Sequence, residues 1–506
     1  MIAGPNLSAR RLAVITLITA AAAIVYELLI GTISTYLNGD STLQYSLTIG
    51  VFLAAMGVGA FLAREIESNL VEKLLFIELA LALLGGFSGL LLYSAHFSFM
   101  SGYLACMVVL LSAIGGLVGM ELPILAELLK QQGGIKSAFA STLSYDYFGS
   151  LLGALAFPLI LLPSLGTVKT AFIVGMINLV AVTLTVSAAD VKHRKKFHAA
   201  FVIASALITL GLFYSARSIS WFEHRLYQDE IVYAETTRFQ RIVITQYDND
   251  LRLYSDQELQ FSSRDEYRYH EALIHPALAL VQRPGRVLII GGGDGLATRE
   301  ILKDTRVQSI TLVDLDPLMT KISDEMPQIR ALNQGALRHP KVDIVNADGY
   351  RFLIESKQRF DLIVLDLPDP RTEAIARLYS REFYLLAKKK LSVDGILVTQ
   401  ASSPYYARET FWCINQTLIS TSLNTLPYRV NVPSFGEWGF ILASRAKLSF
   451  DKLNLPLQHQ FISVALLQQA TVFDADTSAP GNLPVSSLEM PNAWHLYRKR
   501  VRYWRN

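Results

Sequence analysis

The sequence predicts two folds in one chain: a multi-span α-helical membrane domain, then an α/β domain that opens with a small β-rich subdomain. Two observations carry this. Apolar runs of about the ~20 residues that a helix needs to cross hydrocarbon recur from residue 12 to about 217. Between Leu12 and Ala63 the only charged residues are Glu27 and Asp40, whereas from about Trp221 onward charge is as dense as in a water-exposed enzyme. The whole-chain values, 506 residues that are 51% hydrophobic with a mean hydropathy of +0.32, therefore average over two solvents. The expected boundaries are 1–217 for a transmembrane domain of about seven helices, 218–280 for the β subdomain, 281–450 for the α/β domain and 451–506 for a C-terminal extension.

The apolar runs are 12–37, 42–63, 74–94, 102–127, 138–163, 167–188 and 197–217. They lack a polar face, which argues against amphipathic surface helices. Small residues are dense in Gly57-Val58-Gly59 and Gly115-Gly116-Leu117-Val118-Gly119, where they let neighbouring helices approach. Acids fall in these runs, among them Glu27, Glu121 and Asp146. Glu121 precedes Pro123, which predicts a helix break there, and Asp146 lies between Tyr145 and Tyr147, positioned to receive their hydroxyls. Structural roles are expected for these, with transport or substrate access as the minority reading for any acid in a span. The first run is too long for a signal-peptide core and others follow it. A net charge of +3 is too small to argue for nucleic acid. The two cysteines, Cys106 and Cys413, lie in different halves and predict neither a disulfide framework nor a metal site.

In the second half, Ile231–Val232, Arg241–Thr245 and Leu251–Tyr254 read as short strands, and Arg268–Val281 as a helix. Arg286-Val287-Leu288-Ile289-Ile290 is a run suited to a buried parallel strand. It leads into Gly291-Gly292-Gly293-Asp294-Gly295 and a helical stretch, Leu296–Asp304. Strand, glycine turn and helix start form a Rossmann-like arrangement, in which the backbone closely approaches a ligand, and which is common to nicotinamide- and flavin-binding folds and to the adenosylmethionine-binding methyltransferase type. Further strands end at Asp314, at Asn346-Ala347-Asp348-Gly349, at Asp366-Leu367-Pro368-Asp369 and at Gln400. Asp314 follows the glycines by about 20 residues, the spacing of an acid on ribose hydroxyls. A lone strand-end aspartate often caps the next helix, but several together point to a ligand at that sheet edge. Asp294, Asp366 and Asp369 make this edge acidic, which suits a cationic ligand better than a pyrophosphate.

These residues resemble the spermidine synthase family. Val287 to Gly295 with Arg299-Glu300 is similar to the family's glycine signature, and Ser263 to Glu271 to its Arg-Asp-Glu-(aromatic)-x-Tyr-His-Glu helix. Tyr227-Gln228-Asp229, Asp348-Gly349 and Asp366-x-x-Asp369-Pro370 supply three more anchors in order, so the likeness runs from about Leu226 to Ala443. The apolar first half resembles the membrane-bound branch of that family. The resemblance implies transfer of an aminopropyl group from decarboxylated S-adenosylmethionine, a co-substrate rather than a cofactor, to an amine, usually putrescine. By position, Asp366 is then the proton acceptor. Asp369, Tyr269 and His270 hold the amine, and Asp294 holds the donor's ammonium. Gln228, Asp314, Asp348 and Gly349 hold the nucleoside against Gly291, Gly292, Gly293 and Gly295. His270 is equally readable as a packed helix histidine.

One departure bears on the acceptor. Where the family has a tyrosine facing the amine, this chain has Phe435, with Glu437 adding an acid nearby. Transfer to a different amine, or a polyamine-binding sensor or transporter with little catalysis, are the alternatives. A methyltransferase is disfavoured because Asp294 would repel the carboxylate of ordinary adenosylmethionine. The implied partners are the amine, the donor and a lipid bilayer, with a homo-oligomer left open. Basic residues at Arg10-Arg11, Arg64, Lys73, Lys130, Lys136 and Lys192 to Lys196 put the N-terminus in the cytoplasm of a multi-pass cell-membrane protein. Seven crossings would then put the second half outside, away from a substrate made inside the cell. A last run, His198 to Ala216, that does not fully cross would reconcile the two and keep that half cytoplasmic. The basic, aromatic end at Arg498 to Arg505 reads as a lipid-surface segment or a solvated helix.

Overall fold

The structure is a computed structural model describing residues 8–505 other than 40, 99–101, 131–134, 189, 190, 192, 228, 456 and 458. The chain divides into two compact units, Met1–Gln228 and Asp229–Asn506. The division falls at 228/229 rather than 217 because the last helix of the first unit runs on to Tyr227.

The first unit is helical: α1 Ala9–Asn38, α2 Ser41–Ala63, α3 Leu70–Ser98, α4 Tyr103–Lys130, α5 Ile135–Ala156, α6 Leu162–Ala188 and α7 Arg194–Tyr227. Among the described residues, six segments are long and apolar enough to cross a membrane, one of them the 48 residues of Phe139–Val186. That segment is two helices. A π-helical turn, Phe157–Leu161, carries Pro158, and Gly166 is non-helical at φ 72° and ψ −178°. Thr170 Oγ1 donates to the carbonyls of both Gly166 (2.6 Å) and Leu161 (3.2 Å). On a straight helix Leu161 and Thr170 would stand ~13 Å apart along the axis, so the chain folds back here. Glycines let the backbones touch. A Cβ at Gly59 would strike the Gly116 carbonyl, one at Gly119 the Met56 carbonyl, and ones at Gly149 and Gly153 the carbonyls of Leu17 and Ala21. Two expectations are corrected. Pro123 does not end α4, which continues to Lys130, and Glu121 is buried facing Glu78 of α3 and Thr19 of α1. Tyr145 and Tyr147, at 40% and 68% exposure, turn outward.

The second unit opens with an antiparallel sheet in sequence order: β1 Glu230–Thr236, β2 Arg241–Tyr247, β3 Asp250–Ser255 and β4 Glu258–Ser262. The sequence reading contained no β4, a short segment with two polar residues in its first three. Helix α8 (Glu266–Leu280) follows. It belongs with the larger sheet and not with the β subdomain, because its Ala272, Leu273 and Ala277 share a core with Val287, Val364, Val398 and Phe440. The larger sheet has the order β10-β11-β9-β8-β5-β6-β7, with β5 Arg286–Gly291, β6 Ser309–Asp314, β7 Val342–Asn346, β8 Phe360–Asp366, β9 Leu391–Gln400, β10 Asn424–Val432 and β11 Gly436–Ser444. Strands β5 to β9 are parallel, and β10–β11 is an antiparallel hairpin added at one edge. Pro427 lies in β10, the edge strand, where a missing N–H is tolerated.

Helices α9 (Leu296–Leu302), α10 (Pro317–Glu325), α11 (Pro327–Leu332), α12 (Gly349–Glu355), α13 (Glu373–Ala376), α14 (Arg381–Lys390) and α15 (Arg408–Ile419) connect the strands. The segment after 450 is not a detached extension. Its Leu453, Ile462 and Leu467, the last on α16 (Val464–Ala470), complete one core layer, and Ala493 of α17 (Asn492–Arg505) the other.

Candidate active site

The parallel register places the strand ends together. Gly291 pairs with Asp366, and Asp314 with Asn346, at the carboxyl edge where such sheets bind ligands. The switch in strand order falls between β5 and β8, since β5 connects to β6 on one side and lies beside β8 on the other. Two glycines are required here. Gly291 has φ +85°, and a Cβ on it would strike the Asp366 carbonyl; a Cβ on Gly293 would crowd the Asp314 carboxylate at 2.6 Å. The Gly293 N–H instead donates to Asp314 Oδ2 at 3.0 Å, and the Asp316 N–H to Asp314 Oδ1 at 2.9 Å. Asp294 accepts from the Leu296 N–H at 2.8 Å, and Gly295, at φ +81°, starts α9.

Asp366 ends β8. The Tyr269 hydroxyl donates to its Oδ1 at 2.7 Å, and its Oδ2 faces Gly292, where a Cβ would stand only 3.0 Å away. One oxygen is therefore engaged and the other is turned toward the glycine loop. Tyr269 is fixed by rings around it, with centroids at 5.2 Å for Phe440, 6.1 Å for Phe435 and 6.5 Å for Trp438. The hairpin carrying Phe435 is tied to the start of α8, because Asp265 accepts from the Ser434 N–H at 2.6 Å and the Ser434 hydroxyl at 2.9 Å.

Asp369 sits on the loop after β8. It accepts from Gln400 Nε2 at 3.4 Å, Ser402 Oγ at 3.2 Å and the Tyr497 hydroxyl. Gln400 also donates to the Leu367 carbonyl at 2.6 Å and to the Tyr379 hydroxyl at 2.5 Å, which itself donates to the Pro368 carbonyl at 2.9 Å. This network shapes the whole Asp366-x-x-Asp369 loop.

His270 is 2% exposed, and its Nδ1 donates to the Glu266 carbonyl and carboxylate, both at 2.8 Å. Glu266 is in turn held by Arg299 at 2.8 and 2.9 Å. Burial alone would lower the His270 pKa. The Glu266 hydrogen bond and the charges of Glu266, Asp294 and Asp366 outweigh it and push it up to about 9. Burial raises the carboxyls. Asp294 reaches about 6, helped by Asp366 and opposed by His270. Asp314 reaches about 6 against the two backbone N–H donors, and Asp369 about 6, with Glu258 adding to burial. Asp366 is likewise raised by burial, with His270 and Tyr269 pulling back.

Tyr269, His270, Asp294, Asp314, Asp366, Asp369 and the glycine turn thus come together. Asp348 has other partners. It caps α12 by accepting from the Arg351 N–H at 2.9 Å, and its second oxygen is paired with Arg377. Gly349, by lacking a Cβ, lets α12 pack on Ile290. Gln228 lies outside the described residues. Glu437 pairs with Arg429, whose guanidinium lies over Phe473. Strand alternation puts it on the face of β11 opposite Trp438 and Phe440, so it is not part of the wall around Tyr269. Glu266, Gln400 and Tyr497 were not among the sequence-derived site residues. Gln400 had a signal in its strand-end position, whereas Tyr497 had none.

A doubly wound sheet whose glycine turn is ringed by the half-buried carboxyls of Asp294, Asp314, Asp366 and Asp369 and by the buried imidazole of His270 defines the class: an α/β enzyme with a carboxylate-rich crevice at the carboxyl edge of its sheet. Residues 266–453 match the spermine/spermidine synthase domain. The chain is 39% identical to a polyamine aminopropyltransferase of Oceanobacillus iheyensis, over 96% of this chain and 95% of that one. It is 40% identical to one from Leptospira interrogans over 96% and 97% of the two chains, and 41% identical to polyamine aminopropyltransferase 2 of Ralstonia nicotianae over 86% of each. The chain belongs to the polyamine aminopropyltransferase family and is an enzyme that transfers aminopropyl groups.

Proposed function

We propose that this chain transfers the aminopropyl group of decarboxylated S-adenosylmethionine to putrescine, with Asp366 as the proton acceptor, giving spermidine and 5′-methylthioadenosine. The observation that carries the reading is the Asp366 carboxylate, with one oxygen held by Tyr269 and the other turned to the glycine loop. An alkyl amine with a pKa near the ~10.4 of lysine is protonated at neutral pH and cannot attack. Asp366, raised by burial, is a better base than a solvated aspartate and accepts that proton. The amine nitrogen then bonds to the carbon beside the sulfonium, the C–S bond breaks, and its electron pair neutralises the sulfur. In this reading Asp294 holds the donor's ammonium, Asp314 the ribose, and Asp369 with Tyr269 the acceptor. His270 balances the charge of Asp294 and Asp366. Purified protein given the donor and putrescine is expected to release methylthioadenosine, and Asp366→Asn to lose roughly 10²- to 10⁴-fold in kcat. Release equal to wild type from Asp366→Asn would sink this assignment. Phe435 beside Tyr269 favours one second reading, a different acceptor amine, so an amine panel belongs in the assay.

We further propose that the helical unit lies in a bilayer and that the catalytic unit faces the cytoplasm, where its donor is made. Phe76, Val109, Leu159 and Phe213 are 65%, 69%, 71% and 79% exposed on α3, α4, the π turn and α7. So much outward apolar surface suits lipid better than water. Basic residues stand at both ends of α7, Arg194 to Lys196 and Arg217 with Arg225, which weakens the charge bias across it. Protease added to right-side-out and inside-out vesicles is expected to reach the catalytic unit only in the latter. Cleavage only in right-side-out vesicles would place it outside.

A further inference from the structure

Residues after 453 lie beyond the matched family domain, yet they are bound to the catalytic unit. Glu271 of α8 accepts from the backbone N–H groups of Gln460 (2.8 Å), Phe461 (2.8 Å) and Ile462 (3.1 Å). Further on, Trp412 Nε1 donates to the Thr477 carbonyl at 2.7 Å, and the Ser486 N–H to Thr417 Oγ1 at 2.9 Å. These ties deliver α17 to the back of the Asp369 loop. Ala493 and Trp494 are buried there, and Trp494 Nε1 donates to the Arg371 carbonyl at 3.1 Å. The Arg371 N–H in turn closes a tight turn on the Asp369 carbonyl at 2.7 Å. Tyr497 is three residues after Trp494, on the same helix face. Its hydroxyl reaches the Asp369 carboxylate, and Glu258 of β4 is near enough for its charge to act on both.

We propose that Tyr497 is a specificity-determining residue for the acceptor. Helix α17 brings its hydroxyl to Asp369, and Tyr497 and Asp369 together receive the ammonium at the far end of a diamine. The inference rests on the reading above that Asp369 holds the amine. A hydroxyl that donates to a carboxylate still has lone pairs to accept from an ammonium. This supplies, from a different part of the chain, an oxygen that Phe435 lacks. The Asp369 carboxylate favours an acceptor with a charged remote group, and a helix at that end limits its length.

The test uses the full chain and its Tyr497→Phe variant, with putrescine, 1,3-diaminopropane, cadaverine and the monoamine butylamine as acceptors. Losing one hydrogen bond to a charged group is expected to raise KM for putrescine roughly 10-fold or more. The KM for the donor and the turnover of butylamine stay within twofold of wild type. The KM ranking of the three diamines also flattens. Equal losses with putrescine and butylamine, or no change with either, would overturn the proposal, since a residue that merely props Asp369 has no reason to distinguish them. Absence of methylthioadenosine from wild type with every amine would instead overturn the underlying reading.

Discussion

The helical unit and the catalytic unit use the same residue type for opposite ends. In the helical unit, Gly59, Gly119, Gly149 and Gly153 let helix backbones meet, and the space that they leave is filled by protein. In the catalytic unit, Gly291 and Gly292 turn the chain at positive φ and bring the loop against Asp366. Apolar side chains diverge likewise. Those of the helices fill an inner core and also stand outward, whereas those of the sheet are packed into two layers around it. A small residue therefore has no meaning apart from the solvent and neighbours that its element meets.

Substitutions at these glycines test that contrast most strongly. Gly291→Ala adds a Cβ against the Asp366 carbonyl at a φ that L-residues avoid. It is expected to destabilise the catalytic unit by about 3 kcal/mol and abolish methylthioadenosine release, read by denaturant titration and assay. Gly119→Leu overpacks α4 on α2 and is expected to cost ~1–3 kcal/mol in detergent melts while kcat holds. A loss of kcat matching the loss of stability would erase the distinction between the units.

The next effect is on pH. Asp294 and Asp369, held up at about 6, lose their charge as pH falls through that value, so KM for donor and acceptor should rise below about pH 6. His270 has the opposite sign. Its pKa is raised from 6.5 to about 9, so the stability that it adds is complete below about 6.5 and is lost as pH rises through about 9. Melting temperature measured from pH 6 to 10 reads this, and Glu266→Gln should flatten it. The smallest effect is that of Asp348→Ala, which removes the cap of α12 for about 1 kcal/mol, measured by thermal melting.

Much of the fold was legible because local composition separates the apolar helical half from the charged α/β half. The seven apolar runs are seven helices, and the predicted parallel strands with their terminal acids are β5 to β9. The hairpin β10–β11 was not read, since Pro427 and a polar turn hide an edge strand. The second-half boundaries also moved. Helix α8 is amphipathic wherever it packs, and only contact with Val287 and Phe440 assigns it to the larger sheet.

The sequence by itself determined where the apolar half gives way to the charged one, which segments become helices or strands, and that acids would gather at one sheet edge. Those follow from periodicity and strand polarity, which act over a few residues. Tertiary structure alone decided which acid does what. Tyr269 meets Asp366 from 97 positions away, Glu266 becomes the partner of both His270 and Arg299, and Glu437 is turned to Arg429. Asp348 is given to a helix cap and an arginine, and Tyr497 is carried from the last helix to Asp369. Such pairings are set by how distant segments close on one another, and no short stretch of sequence carries that information.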